Sequence, residues 1–283
     1  MSLAKVTLLG FIAGITIVLG LPIARLGRVT KKARAGLNAF AIGVLVFLLV
    51  ETIHKGIDPV ETALTNAHDG RGPWSSFVGK ALLFSVAFAV ALVGLSAYDR
   101  WMRHHHSTGR LAGHSGGAAF VAEFCPSRIA ATPAQATAVL IAVGIGMHNL
   151  AEGLSIGQAA AGGQVKLAVL LVVGFALHNA TEGFGIAAPL AGDEAAPSWG
   201  WLAIAGLIGG GPTFVGTIIG HAWVSTNLSL TFLSLAAGSI LYVVLQLVGV
   251  ATNLEEPSAL AWGIVAGLLA GIGTDFILVI AGV

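Results

Sequence analysis

The sequence predicts an all-α membrane protein with eight transmembrane helices. Of its 283 residues, 56% are hydrophobic and only 10% are charged, and the mean hydropathy is +0.89. Soluble domains carry about a quarter charged residues. Only helices and closed barrels span lipid, and these apolar runs are longer than the alternating strands of about ten residues that build barrels. The composition therefore excludes a soluble enzyme.

Charge and cysteine usage exclude two further classes. The net charge of +1 provides no basic face for nucleic acid. The single cysteine, Cys125, excludes a disulfide framework and a Cys-rich metal site. No partner of the nucleic-acid class is therefore expected.

Eight apolar stretches are long enough to be spans, because a transmembrane helix needs about 20 mostly apolar residues. Together they form one transmembrane domain over residues 1–283. In chain order the predicted spans are Ala4–Ile23, Leu37–His54, Phe77–Tyr98, Thr137–Ala160, Lys166–Leu190, Trp199–Val224, Leu228–Val250 and Leu260–Val283.

The distribution of Lys and Arg predicts the orientation of these spans. Nine of the 14 basic residues lie in the first and third connections, and basic connections stay in the cytoplasm. Both termini are therefore expected outside the cytoplasm. The third connection, residues 100–132, is predicted to be a flexible cytoplasmic loop that either receives metal or is a solvated linker. Its histidines are His104, His105, His106 and His114.

The fourth and fifth spans each contain His-Asn-x-x-Glu-Gly, at residues 148–153 and 178–183. Histidine and glutamate at positions i and i+4 share one helix face. The loop near Gly162–Gly163 is short, so the two helices are expected to be antiparallel neighbours with both histidines at similar depth. The spacing therefore predicts that four side chains converge: His148, Glu152, His178 and Glu182.

Two imidazoles and two carboxylates suit a divalent transition-metal ion, above all one of the first row. Zn²⁺ accepts such ligands tetrahedrally, while Fe²⁺, Mn²⁺, Co²⁺ and Cd²⁺ are further candidates. Two carboxylates also cancel the charge of the ion in a low-dielectric site. Asn149 and Asn179 follow the histidines and could offer carbonyl oxygens to a second, weaker site. The alternative is that these polar residues only form hydrogen bonds between helices.

At these residues the chain resembles the ZIP (Zrt-, Irt-like protein) family of divalent-metal transporters, most closely its GufA-like bacterial branch. The family motifs, His-Asn-x-Pro-Glu-Gly and Gln/His-Asn-x-Pro-Glu-Gly, are matched except that Ala151 and Thr181 replace the prolines. The resemblance implies a binuclear site, inward metal transport and a homodimer. Its primary site would be the four converging side chains, and its second would use Asn149, Asn179 and the shared Glu182.

Four further positions bear on this resemblance. In the sixth span the branch often has a glutamate where this chain has Gly211, which removes one ligand of the second site. His221 is a candidate to complete that site. Glu51 and His54, at the predicted end of the second span, could form the extracellular metal entry, or else an interfacial polar cap.

The function expected from these features is transport of a divalent cation, with Zn²⁺ first, into the cytoplasm of a prokaryote across its plasma membrane. The ion would be substrate, and no organic cofactor is expected. Two alternatives stay open: an intramembrane metal-dependent hydrolase, in which bound Zn²⁺ activates water, and a membrane metal sensor without flux. His-Glu-x-x-His, a common hydrolase motif, does not occur in the sequence.

Overall fold

The computed structural model describes residues 1–25, 30–109, 132–190 and 196–281, and every regular element in these ranges is helical. Two short 3₁₀ segments, Thr16–Leu19 and Leu21–Arg25, continue the first helix, and a third, Ala188–Leu190, follows the fifth. The α-helices are α1 (Leu3–Ile15), α2 (Lys31–His68), α3 (Trp74–Gly109), α4 (Pro133–Ala161), α5 (Val165–Ala187), α6 (Trp199–Ala222), α7 (Thr226–Thr252) and α8 (Pro257–Ala281).

Within the described ranges, eight helices are long and apolar enough to cross a membrane, which confirms the predicted all-α fold class and number of spans. Their outward faces carry large apolar side chains. On α3, for example, Leu82, Val86, Val90 and Val93 are all more than half exposed along one side of the helix. Such a stripe is suited to contact with lipid, so we describe the chain as a multi-pass membrane protein.

Two helices extend well beyond their predicted ends. The helix that contains the predicted second span does not end with that span at His54, because α2 continues through Pro59 to His68. Apolar sequence marks only the part of a helix that lies in lipid, whereas the hydrogen-bond ladder can continue into polar surroundings. Likewise α3 continues to Gly109, so residues 100–109, predicted to belong to a flexible loop, are helical. Residues 110–131, the rest of that loop, lie outside the described part of the chain.

The eight helices divide into two groups by their contacts. Helices α1, α4, α5 and α6 pack mainly on one another, and so do α2, α3, α7 and α8. The two groups meet where α4 packs on α7 and where α5 packs on α2 and α8. Helix α4 is the most enclosed: 78% of its most apolar stretch is buried, against 17% for α3 and 11% for α8.

Glycines bring several helix pairs into backbone contact. In α8, Gly263 and Gly267 lie against the backbone of α2 at Gly36 and Phe40. In the first group, Gly153 of α4 lies against α6, and Gly216 of α6 lies against α4. Close packing through small residues is typical of helix association in membranes.

Candidate functional site

The two motif helices are positioned by local sequence signals. Helix α4 begins with a capping box between Thr132 and Gln135, and it ends at a three-residue turn in which Gly163 has a positive φ of 77°. The chain then reverses directly into α5, so α4 and α5 are antiparallel neighbours, as predicted. Neither helix is interrupted where the family motif has proline, and at the second such position the Thr181 hydroxyl donates to the His178 carbonyl, 2.7 Å away.

The four predicted side chains meet between α4 and α5. His148 Nε2 lies 3.2 Å from Glu152 Oε1 and 3.7 Å from Glu182 Oε1, and His178 Nδ1 lies 4.0 Å from Glu152 Oε1. Each of the four residues is at most 5% exposed. The i, i+4 spacing therefore brings together two imidazoles and two carboxylates inside the protein. We refer to His148, Glu152, His178 and Glu182 as the four-residue cluster.

The spacing of the donor atoms is near that of a tetrahedral site without matching it. Ligands bound at 2.0–2.2 Å to a tetrahedral ion are about 3.4 Å from one another, and the three separations bracket this value. Across the described ranges, however, no group of three or more His, Cys, Asp and Glu side chains is arranged to hold a metal ion as it stands. Binding at the cluster therefore requires side-chain rotations.

Polar atoms without hydrogen-bond partners concentrate at this place. In the described part of the chain, twelve buried side-chain nitrogen and oxygen atoms lack a partner, and eight of them belong to the cluster and its two asparagines. Leaving a buried polar atom unpaired costs about 1–3 kcal/mol. Such a concentration is expected where a polar or ionic ligand is to be bound.

Asn149 and Asn179 make equivalent contacts on opposite sides of the cluster. The Asn149 amide donates to the Gly209 carbonyl of α6 at 2.9 Å, and the Asn179 amide donates to the Ala13 carbonyl of α1 at 2.8 Å. In both residues Oδ1 is buried and has no partner. The amide nitrogen thus fixes each side chain, and the oxygen remains available as a ligand.

Of the two predicted entry residues, only Glu51 faces the cluster. It interacts electrostatically with His148 and His178, and its carboxylate binds the Lys55 ammonium at 2.5 Å. His54 instead has a side chain that is 77% exposed and lies 4.0 Å from Asp58. The structure therefore associates Glu51 with the cluster but places His54 on the outer surface of α2.

The remaining predicted residues lie apart from the cluster or outside the part of the chain that the structure describes. His221 is half-buried in the last turn of α6, where its backbone adjoins Gly157 of α4. Gly211 lines an apolar cleft of about 950 Å³ between α1 and α6. The helical backbone includes His104, His105 and His106, but their side chains, like all of His114, lie outside the described part.

Sequence reasoning missed two polar neighbours of the cluster. Lys55 of α2 interacts electrostatically with both histidines and with Glu152. Thr274 of α8 places its hydroxyl oxygen 2.7 Å from His178 Nε2, and the Phe47 ring lies beside the same imidazole, with centroids 6.3 Å apart. The available signal for Thr274 was a hydroxyl-bearing residue within the predicted eighth span.

Comparison with known proteins gives no match: neither a family model nor a curated protein is similar to this chain. The resemblance carried by the two motifs therefore stays a prediction, and the functional argument depends on the geometry of the cluster.

Proposed function

We propose that this protein is a transporter, not an enzyme, and that it carries divalent transition-metal cations, first Zn²⁺, across the membrane through the four-residue cluster. The observation that carries the proposal is the convergence of two imidazoles and two carboxylates, all buried and largely without hydrogen-bond partners, between two neighbouring helices. Ionisable groups inside a membrane protein are costly and mark ion pathways by default.

The charges around the cluster favour a divalent cation. Glu152 and Glu182 together can balance a 2+ ion, and Glu51 is already paired with Lys55. A loaded site would thus be close to neutral, which reduces the cost of holding an ion away from water. A monovalent cation would leave one carboxylate charge unbalanced, so the charge balance favours divalent ions.

The two helix groups suggest how the ion could cross. All four cluster residues belong to the group of α1, α4, α5 and α6. From the other group, Thr274 contacts His178, whereas Glu51 and Lys55 interact with the cluster electrostatically. Movement of one group against the other would expose a bound ion to each side in turn. Exposure to water would then release the ion, because protons and water compete for the histidine ligands.

The remaining parts of the proposal follow the family resemblance. We infer membership of the ZIP family, inward transport with both termini outside the cytoplasm, a prokaryotic plasma membrane and a homodimeric assembly. The positions of Asn149 and Asn179 support a weaker second ion site, since each has a free Oδ1.

The test measures zinc entry into proteoliposomes loaded with a zinc-sensitive dye. We expect the double variant His178→Ala, Glu182→Ala to abolish entry. The matched control is His68→Ala, Asp69→Asn, which also removes one histidine and one carboxylate, 3.2 Å apart and exposed at the end of α2. It should transport like the original protein. Elution of all variants as the same detergent-solubilised species establishes that they are folded.

Each other outcome points to a different function. Unchanged zinc entry in the double variant would reject the cluster as the ion path. Stoichiometric zinc binding to the purified protein without any flux would indicate a sensor. Metal-dependent cleavage of lipid or peptide without flux would indicate a hydrolase.

A further inference from the structure

We propose that Thr274 of α8 is a positioning residue that fixes the tautomer of His178 and so presents Nδ1 of its ring to the metal ion. The metal part of this inference rests on the proposed function; the tautomer part does not. Two short contacts carry it. His178 Nε2 lies 2.7 Å from Thr274 Oγ1, and the Thr274 hydroxyl donates to the Gly271 carbonyl at 2.6 Å.

The second contact determines the direction of the first. A hydroxyl group has a single hydrogen, and in Thr274 the carbonyl of Gly271, one turn earlier in α8, accepts it. Both contacts are hydrogen bonds at the same time only if Nε2 of His178 carries a hydrogen and donates it to Thr274 Oγ1. In the opposite tautomer, either Nε2 or the Gly271 carbonyl oxygen would face Thr274 Oγ1 with no hydrogen between them.

The fixed hydrogen on Nε2 leaves a lone pair on the other ring nitrogen. In a neutral imidazole one nitrogen donates and the other accepts. His178 Nδ1 is buried, has no hydrogen-bond partner and lies 4.0 Å from Glu152 Oε1. The metal-binding lone pair is thus directed to the interior of the cluster before any ion arrives. Histidine ligands in metal sites commonly have such a partner on their second nitrogen.

His148 provides an internal contrast. Both of its ring nitrogens are buried without a hydrogen-bond partner. Its nearest polar neighbours are the Glu152 and Glu182 carboxylates, 3.2 and 3.7 Å from Nε2, which are themselves proposed ligands. No group from outside the cluster therefore orients its ring, although the sequence motif around it is the same. The two motif histidines differ because α8 packs beside α5 at His178. The ring of His178 is therefore oriented before metal binds, whereas the ring of His148 can change its orientation when metal binds.

The contact also joins the two helix groups. Thr274 belongs to the group of α2, α3, α7 and α8, and His178 belongs to the other group. The bond spans 96 residues of sequence. The hydrogen bond therefore orients His178 for metal binding only while α8 lies beside α5 as it does here.

The test compares Thr274→Val, which keeps the shape and removes the hydroxyl, with Thr274→Ser, which keeps the hydroxyl. Loss of such an outer partner typically weakens metal affinity about 10–100-fold. We expect that loss for Co²⁺ or Zn²⁺ binding to the purified valine variant, and an affinity within about threefold of the original in the serine variant. Thr274→Ala also removes the hydroxyl but adds no methyl group in its place, and its metal affinity should fall as in Thr274→Val.

A second readout reports the tautomer itself. Nitrogen-15 NMR of histidine-labelled protein, with the His178 signals identified by their loss in His178→Asn, should show a single Nε2–H tautomer in the metal-free original and in Thr274→Ser. A mixture is expected in the valine and alanine variants. A pure Nε2–H tautomer in all variants, or a serine variant that behaves like valine, would overturn the proposal.

The two readouts also separate this proposal from the proposed function. If the original protein binds no metal, the proposed function fails, while the tautomer spectrum still decides the role of Thr274. If metal is bound and transported with equal affinity in all variants and the tautomer is unchanged, only the role of Thr274 is rejected.

Discussion

Replacing Gly216 of α6 by alanine should force the two most extensively packed helices apart. A Cβ atom at this position would overlap the Leu150 carbonyl oxygen of α4, and it would lie 3.0 Å from both the carbonyl carbon of Leu150 and the Leu154 nitrogen. These atoms belong to the backbone and cannot rotate away as a side chain would. The strain must therefore be relieved by movement of the whole helix.

The size of the effect follows from that geometry. Ordinary contacts of a Cβ atom are 3.4–4 Å long, so α6 must move from α4 by about 1 Å, and such overpacking costs about 1–3 kcal/mol. Alanine also gains up to about 1 kcal/mol over glycine in helix propensity. Gly94→Ala in α3 is the matched control, because nothing lies within 4 Å of its Cβ position. Both variants gain in propensity, so their difference isolates the steric cost.

We expect Gly216→Ala to be less stable than Gly94→Ala by about 1–3 kcal/mol. The measurement is reversible unfolding with dodecyl sulfate in mixed micelles, followed by circular dichroism. Zinc entry should fall as well, because the displaced α6 carries the Gly209 carbonyl that holds Asn149. Equal stability of the two variants would show that α4 and α6 are not in backbone contact, and the packing described for the site would be wrong.

Three other perturbations have defined outcomes. Lys55→Gln removes a positive charge near the cluster, so zinc should bind more tightly. Calorimetry should show a Kd lower by up to about tenfold, which is about 1.4 kcal/mol of binding free energy. Weaker binding would contradict this. Lowering the pH from about 7.5 to 5.5 should weaken binding, because protons compete with the metal ion for the imidazole and carboxylate ligands. A Kd that stays the same over this range would contradict that competition. Asn38→Leu removes a buried hydrogen bond, 2.7 Å long, from the Asn38 amide to the Leu247 carbonyl. The free energy of unfolding in dodecyl sulfate should fall by only about 0.6 kcal/mol, the average for hydrogen bonds between membrane helices. A fall of more than about 2 kcal/mol would contradict this expectation.

The parts of this protein that local rules determine were predictable from the sequence. Apolar length predicts the spans, because about 20 residues must cross the hydrocarbon layer. The i, i+4 spacing places His148 beside Glu152 on one helix face, and the short turn at Gly163 makes the next helix its antiparallel neighbour. These inferences need no knowledge of how distant helices pack.

The parts that depend on distant packing were not predictable. The Thr274 hydroxyl contacts His178 from α8, and the Lys55 ammonium acts on the cluster electrostatically from α2, both far in sequence from α4 and α5. Hydropathy also gives no information about a helix that continues into polar surroundings, so it predicts the apolar span to His54 but not the rest of α2 to His68. Glu51 and His54 share a helix, yet only the packing of α2 decides which of them faces the cluster.

The two asparagines explain how the cluster keeps its shape within one helix group. Asn149 is held by the carbonyl of Gly209, and Asn179 by that of Ala13. The residues that follow these carbonyls, Gly210 and Gly14, lie against each other where α1 crosses α6. One helix crossing therefore supports both halves of the cluster, so α4 and α5 cannot separate without disturbing it. The contact to Thr274 and the longer-range electrostatic interaction with Glu51 come from the other group and can change independently. An ion held by the four-residue cluster could thus move with its own group while the surroundings of His178 change, which a transport cycle requires.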